Sequence, residues 1–223
     1  MSLGNIVYIC AHPDDIYSVC GTLMLLRRKG YTVHDFLLTR GQKGGKQPDI
    51  AEIRSKEEQA ACAIIGANLR FFDQMDGELF ADRAICGTVA DALKELKPAA
   101  VITLWPFEKP DHAAAFGIAH KALCMADLRW TTEFYMCSAD GDQYRFRPDL
   151  YVNVTPVIED VKKVVSCYPS QWKPGSSDWA VGSKKVYGRQ AWCDYAEGFC
   201  LPLPQVNLRW DRRTEVGRVL LDL

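Results

Sequence analysis

The chain has 223 residues, 48% hydrophobic and 25% charged, the mix of a soluble globular protein large enough to bury a core without staples. Its 27 Lys and Arg stand against 28 Asp and Glu, a net charge of −1, so there is no basic excess for nucleic acid or an anionic membrane surface. A small neutral or polar partner fits better. Nine cysteines, an odd number with no C-x-x-C spacing, read as reduced thiols rather than a disulfide framework; Cys10, Cys62 and Cys124 sit inside apolar runs. The opening MSLGNIVYICAHPDD has no basic n-region, and no apolar stretch reaches ~18 residues, so neither a signal peptide nor a membrane span is expected and the location is read as cytoplasmic.

In chain order, Ile6–Cys10 is a short β-branched and aromatic run, expected as a strand covered on both faces. Thr22–Lys29 follows as a helix closed by Gly30, and Tyr31–Thr39 as a second strand. A glycine- and charge-rich loop runs from Arg40 to Pro48. Ile50–Ile65 predicts a strong helix with a left-handed C-cap at Gly66. Leu69–Phe72 reads as a strand, Ala81–Leu96 as a helix stopped by Pro98, Ala99–Trp105 as a strand and Ala113–Ala126 as an Ala-rich helix. This alternation implies right-handed crossovers and a mostly parallel sheet, with ligands collecting outside the carboxyl ends of the strands.

The last third is less regular. Thr132–Ser138 and Leu150–Val154 read as strands and Pro156–Cys167 as a helix with Pro in its first turn. Tyr168–Gly182 reads as loop, Lys184–Tyr195 as helix, and the Pro-rich tail from Leu201 has no period. With no repeat and no linker, residues 1–223 are expected to form a single domain.

Of four histidines, two lie beside aspartates just after apolar strands: His12-Pro13-Asp14-Asp15 and Lys109-Pro110-Asp111-His112. Both groups fall at carboxyl ends of expected parallel strands, where they can converge across about a hundred residues of sequence. Each Pro fixes one φ and tightens its turn. Two imidazoles and a carboxylate are what a catalytic zinc site uses, with a fourth position open to water. The paired aspartates can divide the work, one binding metal and the other taking a proton. Either cluster alone reads equally well as a helix cap with a core histidine; two at equivalent places favour the metal. His34 in a strand and His120 in a helix read as structural.

Ala11-His12-Pro13-Asp14-Asp15 resembles the signature of the LmbE-like, or PIG-L, zinc-dependent N-acetylglucosaminyl deacetylases. The resemblance continues in order through Thr39-Arg40-Gly41-Gln42-Lys43-Gly44-Gly45, through Arg54-x-x-Glu57 with its Ile65-Gly66 ending, and through Asp76-Gly77-x-Leu79. Pro110-Asp111-His112, Ser170-Gln171 and Tyr195-x-Glu197-x-Phe199 complete it. It implies a Rossmann-like α/β three-layer sandwich with helices on both faces of the sheet. It also implies His12, Asp15 and His112 as metal ligands, Asp14 as general base, and Arg54 and Asp76 as sugar contacts. Arg40 and the glycine loop would line the sugar pocket, and Asp111 would orient the neighbouring imidazole. The ion would be Zn²⁺, with Fe²⁺ or another divalent metal accepted by the same ligands. The substrate would be a small amino-sugar conjugate, and a homo-oligomer is left open.

Arg54 and Glu57 also read as an i,i+3 surface pair, and Asp76-Gly77 as a plain turn. Two departures from the family pattern stand out. Ile16 and Tyr17 stand where a glutamate is usual, so altered packing or polarity near the site, rather than loss of metal, is expected. Lys109 stands where the second motif normally begins with histidine; its charge can offset an oxyanion, or it can point to solvent. Two rival readings follow. One is a sugar-binding protein that keeps the metal pocket without efficient hydrolysis. The other is a non-haem iron site built on His12-x-Asp14 and His112, disfavoured because that triad is most at home on all-β barrels.

Overall fold

The computed structural model of the chain describes residues 2–139, 146–173, 175, 177–201, 218–221 and 223. Strands β1 (Asn5–Cys10), β2 (Thr32–Thr39), β3 (Asn68–Gln74), β4 (Ala100–Leu104) and β5 (Glu133–Cys137) form one parallel sheet in the order β3-β2-β1-β4-β5. Ile6–Cys10 and all of β4 are buried, which is why they read as unbroken apolar runs. Helices α1 (Cys20–Lys29) and α2 (Ile50–Ile65) carry the chain outward to β3; α3 (Arg83–Leu96) and α4 (Pro110–Met125) carry it back to β4 and on to β5. Right-handed crossovers place these two helix pairs on opposite faces. Accordingly α1 and α2 pack with α5 (Ile158–Val165), and α3 packs with α4. The strand order reverses between β1 and β4, and a crevice opens outside their carboxyl ends at that switch point.

Beyond β5 lies a small antiparallel pair, β6 (Leu150–Asn153) with β7 (Ala196–Phe199), joined to β5 by a bridge between Met136 and Cys200. Between them run a 3-10 turn (Thr155–Val157), α5, the short α6 (Ser177–Ala180) and α7 (Gly182–Gln190); a last short helix, α8, spans Arg218–Leu221. The expected helix Pro156–Cys167 is here a 3-10 turn followed by α5, α6 falls in the expected loop, α7 ends at Gln190 rather than Tyr195, and β7 has no counterpart among the expected elements. A four-residue strand such as β7 has no period of its own and exists through its register with β6. Most of the Pro-rich tail, residues 202–217, lies outside the described residues.

Two boundary shifts matter for function. α4 begins at Pro110, three residues before the expected Ala113, with Lys109 extended as its N-cap (φ −69°, ψ 156°). Pro at the first helical position loses no hydrogen bond, so Asp111 and His112 fall in the buried first turn of the helix rather than in a loop. α1 begins at Cys20, two residues early, because its first amides have a distant acceptor: Gly21 and Thr22 N–H donate to the two oxygens of Glu197 (3.0 and 2.7 Å). At Gly21 a Cβ would lie 2.8 Å from Val154, so this close approach needs glycine.

Most buried apolar residues on both sides of the sheet form one contiguous core, with Met136, Phe146 and Cys200 in a small second cluster. All nine cysteines are free. His34 is hydrogen-bonded with Asn5 Oδ1 (3.0 Å), and His120 stacks on Phe116.

Candidate active site

The loop after β1 is the centre of the site. Asp15 Oδ2 accepts N–H bonds from Ala11 (3.1 Å) and His12 (2.8 Å), folding its carboxylate back under the turn. Asp15 Oδ1 then lies 3.3 Å from His112 Nε2, and Oδ2 lies 3.6 Å from His12 Nδ1. The two imidazole rings stand 5.4 Å apart between centroids. The clusters separated by a hundred residues do converge. Each of His12, Asp15 and His112 offers a ligand atom, all within 4.8 Å of one another. Two imidazoles and one carboxylate gathered this closely are a donor set that suits a divalent cation such as zinc. Asp15, not Asp14, is the carboxylate that joins the two imidazoles, so the His12-x-Asp14 triad does not form.

The support of each imidazole differs from the expectation. Asp111 does not reach its neighbour His112. Its Oδ2 lies 3.2 Å from His12 Nε2 and accepts Gly77 N–H (2.7 Å). Asp76 Oδ1 lies 3.2 Å from the same His12 nitrogen, while its Oδ2 accepts Lys43 N–H (2.8 Å). Asp76-Gly77 is therefore more than a turn. The residue that orients His112 is Glu108, whose Oε2 lies 2.6 Å from Nδ1 and whose Oε1 accepts a bond from the Ser138 hydroxyl. Glu108 precedes the N-cap of α4, and its four-residue spacing to His112 was the only signal for it in the sequence.

Asp14 is held separately. Its backbone is left-handed (φ 95°, ψ −26°), a conformation that costs a non-glycine residue roughly 1–3 kcal/mol. Asp14 N–H donates to Glu58 Oε2 (2.9 Å), and Oδ1 accepts from Arg54 Nη2 (2.9 Å). Arg54 also donates to the Gly41 and Pro13 carbonyls. It is 4% exposed, so the surface pair with Glu57 does not exist. Glu57 turns the other way and receives both the N–H (2.9 Å) and the hydroxyl (2.6 Å) of Ser170. Gln171 next to it donates to Gly44 O (3.0 Å). The glycine loop is thus the track along which Arg54 passes: a Cβ at Gly41 (φ 65°) would overlap the guanidinium.

Charge follows geometry. Burial opposes a proton on His12, but the Asp15 and Asp76 carboxylates outweigh it and push His12 up to about 10. His112 rises to about 9 against burial, through Asp15 and then Glu108. Asp15 is held well below the usual carboxylate range, its burial outweighed by the two imidazoles. Asp14 is pushed up to about 7 by burial and then by the Asp15 charge, against Arg54, His12 and Lys109. The cluster thus calls for positive charge at its centre and keeps a carboxyl group beside it whose proton moves near neutrality.

These groups face a cleft of about 770 Å³. His12, Asp14, Asp15, Arg54, Asp76 and Lys109 line it. Tyr17 lines it too, edge-on to Trp172 (4.7 Å) and bonded to the Ala139 carbonyl, while Ile16 is wholly buried. Arg40 is not among the lining residues. It lies over the Phe71 ring (3.9 Å) and bonds Asp73 and Ser55, because β2 ends at Thr39 and sends it toward β3.

A parallel sheet with acid–base and metal-ligating side chains gathered at its switch point defines an α/β enzyme scaffold with a polar, cation-seeking centre. The chain belongs to the PIG-L family: the family model described as GlcNAc-PI de-N-acetylase matches residues 7–123. It is 26% identical over 221 residues to diacetylchitobiose deacetylase of Thermococcus kodakarensis, covering 87% of this chain and 81% of that protein. It is 23% identical over 187 residues to 4-oxalmesaconate hydratase of Pseudomonas putida, covering 73% and 72%. In fold it is similar to the conserved protein TT1542 of Thermus thermophilus, with a TM-score of 0.77, 27% identity, and 93% and 98% of the two chains covered. No described helix is long and apolar enough to cross a membrane.

Proposed function

We propose that the protein is a divalent-metal-dependent hydrolase that removes the N-acetyl group from an N-acetylglucosamine-type sugar conjugate. The observation that carries the reading is the meeting of His12, Asp15 and His112 around one point, with Asp14 standing apart on Arg54. His12, Asp15 and His112 would hold the ion, with zinc first and ferrous iron as the alternative. A bound ion of this kind polarises an amide carbonyl and acidifies a water molecule. Asp14 takes the proton of the attacking water on its carboxylate and returns it to the departing amine nitrogen. Arg54 occupies one Asp14 oxygen and fixes the direction of the other. Lys109, at the mouth of α4, lends positive charge to the developing oxyanion; a lost oxyanion donor typically costs about 10²–10³ in rate. Arg54 and Asp76 meet the sugar hydroxyls from the cleft wall. The protein acts as a single domain on a small soluble substrate.

The test is a release assay for free amine and acetate over acetylated amino sugars, beginning with N,N'-diacetylchitobiose, on metal-reconstituted protein. Turnover of at least one sugar is expected, reduced by about 10²–10⁴ in Asp14→Asn with unchanged metal content. Wild-type turnover that survives Asp14→Asn overturns the mechanism. A second reading, addition of water to an unsaturated carboxylate, is favoured by the similarity to the hydratase and by Lys43 and Lys109 on the cleft wall. Loss of ultraviolet absorbance from a conjugated diacid, with no amine released from any sugar, would select it.

A further inference from the structure

Directly behind the active-site turn lies a second polar cluster that neither metal binding nor hydrolysis uses. Asp35 on β2 and Glu58 on α2 are both fully buried, and each has a carboxyl oxygen within 4.8 Å of the other's and of the Cys62 sulfur. Counting donors to their four oxygens locates a missing proton. Asp35 Oδ1 accepts from the Cys10 thiol (3.4 Å) and Oδ2 from the Cys62 thiol (3.6 Å). Glu58 Oε2 accepts twice, from the Tyr168 hydroxyl (2.9 Å) and from Asp14 N–H (2.9 Å). Glu58 Oε1, buried with the rest, has no donor among the described residues. Two bare carboxylates buried this close to each other are disfavoured, since desolvation and like-charge repulsion add. One proton on Glu58 Oε1, donated to Asp35, satisfies the last oxygen and halves the buried charge.

We propose that Asp35 and Glu58 share one proton, and that this neutralised pair is a positioning element for Asp14, holding its N–H and so its left-handed backbone. The inference rests on the reading of Asp14 as the base. Glu58 touches no substrate atom; it acts through the amide of the residue that does. The cysteine thiols are donors in this network, in keeping with burial and Asp35 pushing Cys10 and Cys62 well up. That gives two of the nine cysteines a role that packing alone does not require.

Three measurements decide it. Infrared difference spectra of the wild-type enzyme at neutral pH should show a protonated-carboxyl band that disappears in Glu58→Gln. Glutamine copies the protonated acid, donating to Asp35 and accepting from Asp14, so Glu58→Gln should keep kcat within about threefold. The double variant D35L/E58M removes the acceptor without stranding a buried charge, which keeps the test alive if Glu58→Met alone fails to fold. It should lose exchange protection at the Asp14 amide and at least tenfold in kcat, with KM and bound metal unchanged; a misplacement near 1 Å can cost up to about 10². A folded double variant with wild-type kcat and a protected Asp14 amide overturns the positioning role. Absence of the carboxyl band, or a second equivalent of divalent metal lost only in Glu58→Gln, overturns the shared proton. If Asp14→Asn itself remains active, the base reading has failed instead, and the band and the amide protection still judge the pair.

Discussion

Two buried charged pairs brace the turn that carries the site, and they are built on opposite logic. On one side, Lys184 and Glu197 form a pair at 2.6 Å, 2% and 1% exposed. Lys184 Nζ also donates to the Tyr17 and Ser18 carbonyls (2.9 and 3.1 Å), and Glu197 accepts the first amides of α1. Opposite charges there cap two ends of backbone at once, and every valence in use belongs to a neighbouring main chain or to the partner. On the other side, Asp35 and Glu58 carry like charge and hold the turn only while a proton is between them. The first pair clamps the end of the turn from the late β6–β7 region; the second supports Asp14 from β2 and α2. A full charge can be buried here where an opposite charge and backbone dipoles meet it on several sides, whereas two like-charged carboxyl groups side by side need to shed charge.

Breaking the first clamp should have the largest effect. Lys184→Met leaves Glu197 charged and buried without its cation, and removal of one member of such a pair typically costs about 3–5 kcal/mol. Urea denaturation of the metal-free protein measures this, and a loss below about 1 kcal/mol would mean water reaches Glu197. Next is the support of the buried imidazole. Glu108→Gln removes the carboxylate on His112 Nδ1 and should weaken metal binding by about 10–100-fold, read by competition with a chelator, with little change in the unfolding midpoint of the metal-free protein.

The like-charged pair should reveal itself through pH. Asp35 is raised by burial from 3.8 to about 6, so between those values the native state binds more protons there than the unfolded chain. Stability from this group is fully present at low pH and is lost as pH rises toward 6, at up to about 1.4 kcal/mol per unit. Asp35→Asn lacks that loss, and the stability difference between variant and wild type should grow over the same interval in denaturant titrations. A difference that stays flat would place both carboxylates in contact with solvent. The smallest effect is expected at Arg40, which lies off the cleft on Phe71 and Asp73. Arg40→Ala should leave kcat and KM for the sugar within about threefold, and a tenfold rise in KM would return it to the substrate pocket.

Much of the scaffold was written locally. The unbroken apolar runs at Ile6–Cys10 and Ala99–Trp105 can only be strands buried on both faces, and the glycine after Ile65 ends α2 in the left-handed cap it adopts (φ 78°). Histidine and aspartate next to such strands pointed to the carboxyl edge, where the site lies. What stayed hidden were roles decided by side chains from distant segments. Arg54 and Glu57 share a helix turn yet serve the Asp14 turn and the Ser170 turn respectively. Asp111 serves His12 rather than the adjacent His112, whose partner is Glu108, a residue that no motif singled out.

The amino-acid order alone therefore determined the alternating strands and helices, the parallel sheet and the pair of His–Asp clusters, since these follow from short-range periodicity and from the fixed hand of the crossovers. Only the tertiary structure decided which carboxylate meets which ring, how Glu197 starts a helix 175 residues away, and that Asp35 faces Glu58. Such contacts depend on distances of a few tenths of a nanometre across chain separations that no local pattern encodes, and they are fixed only when the whole core closes around them.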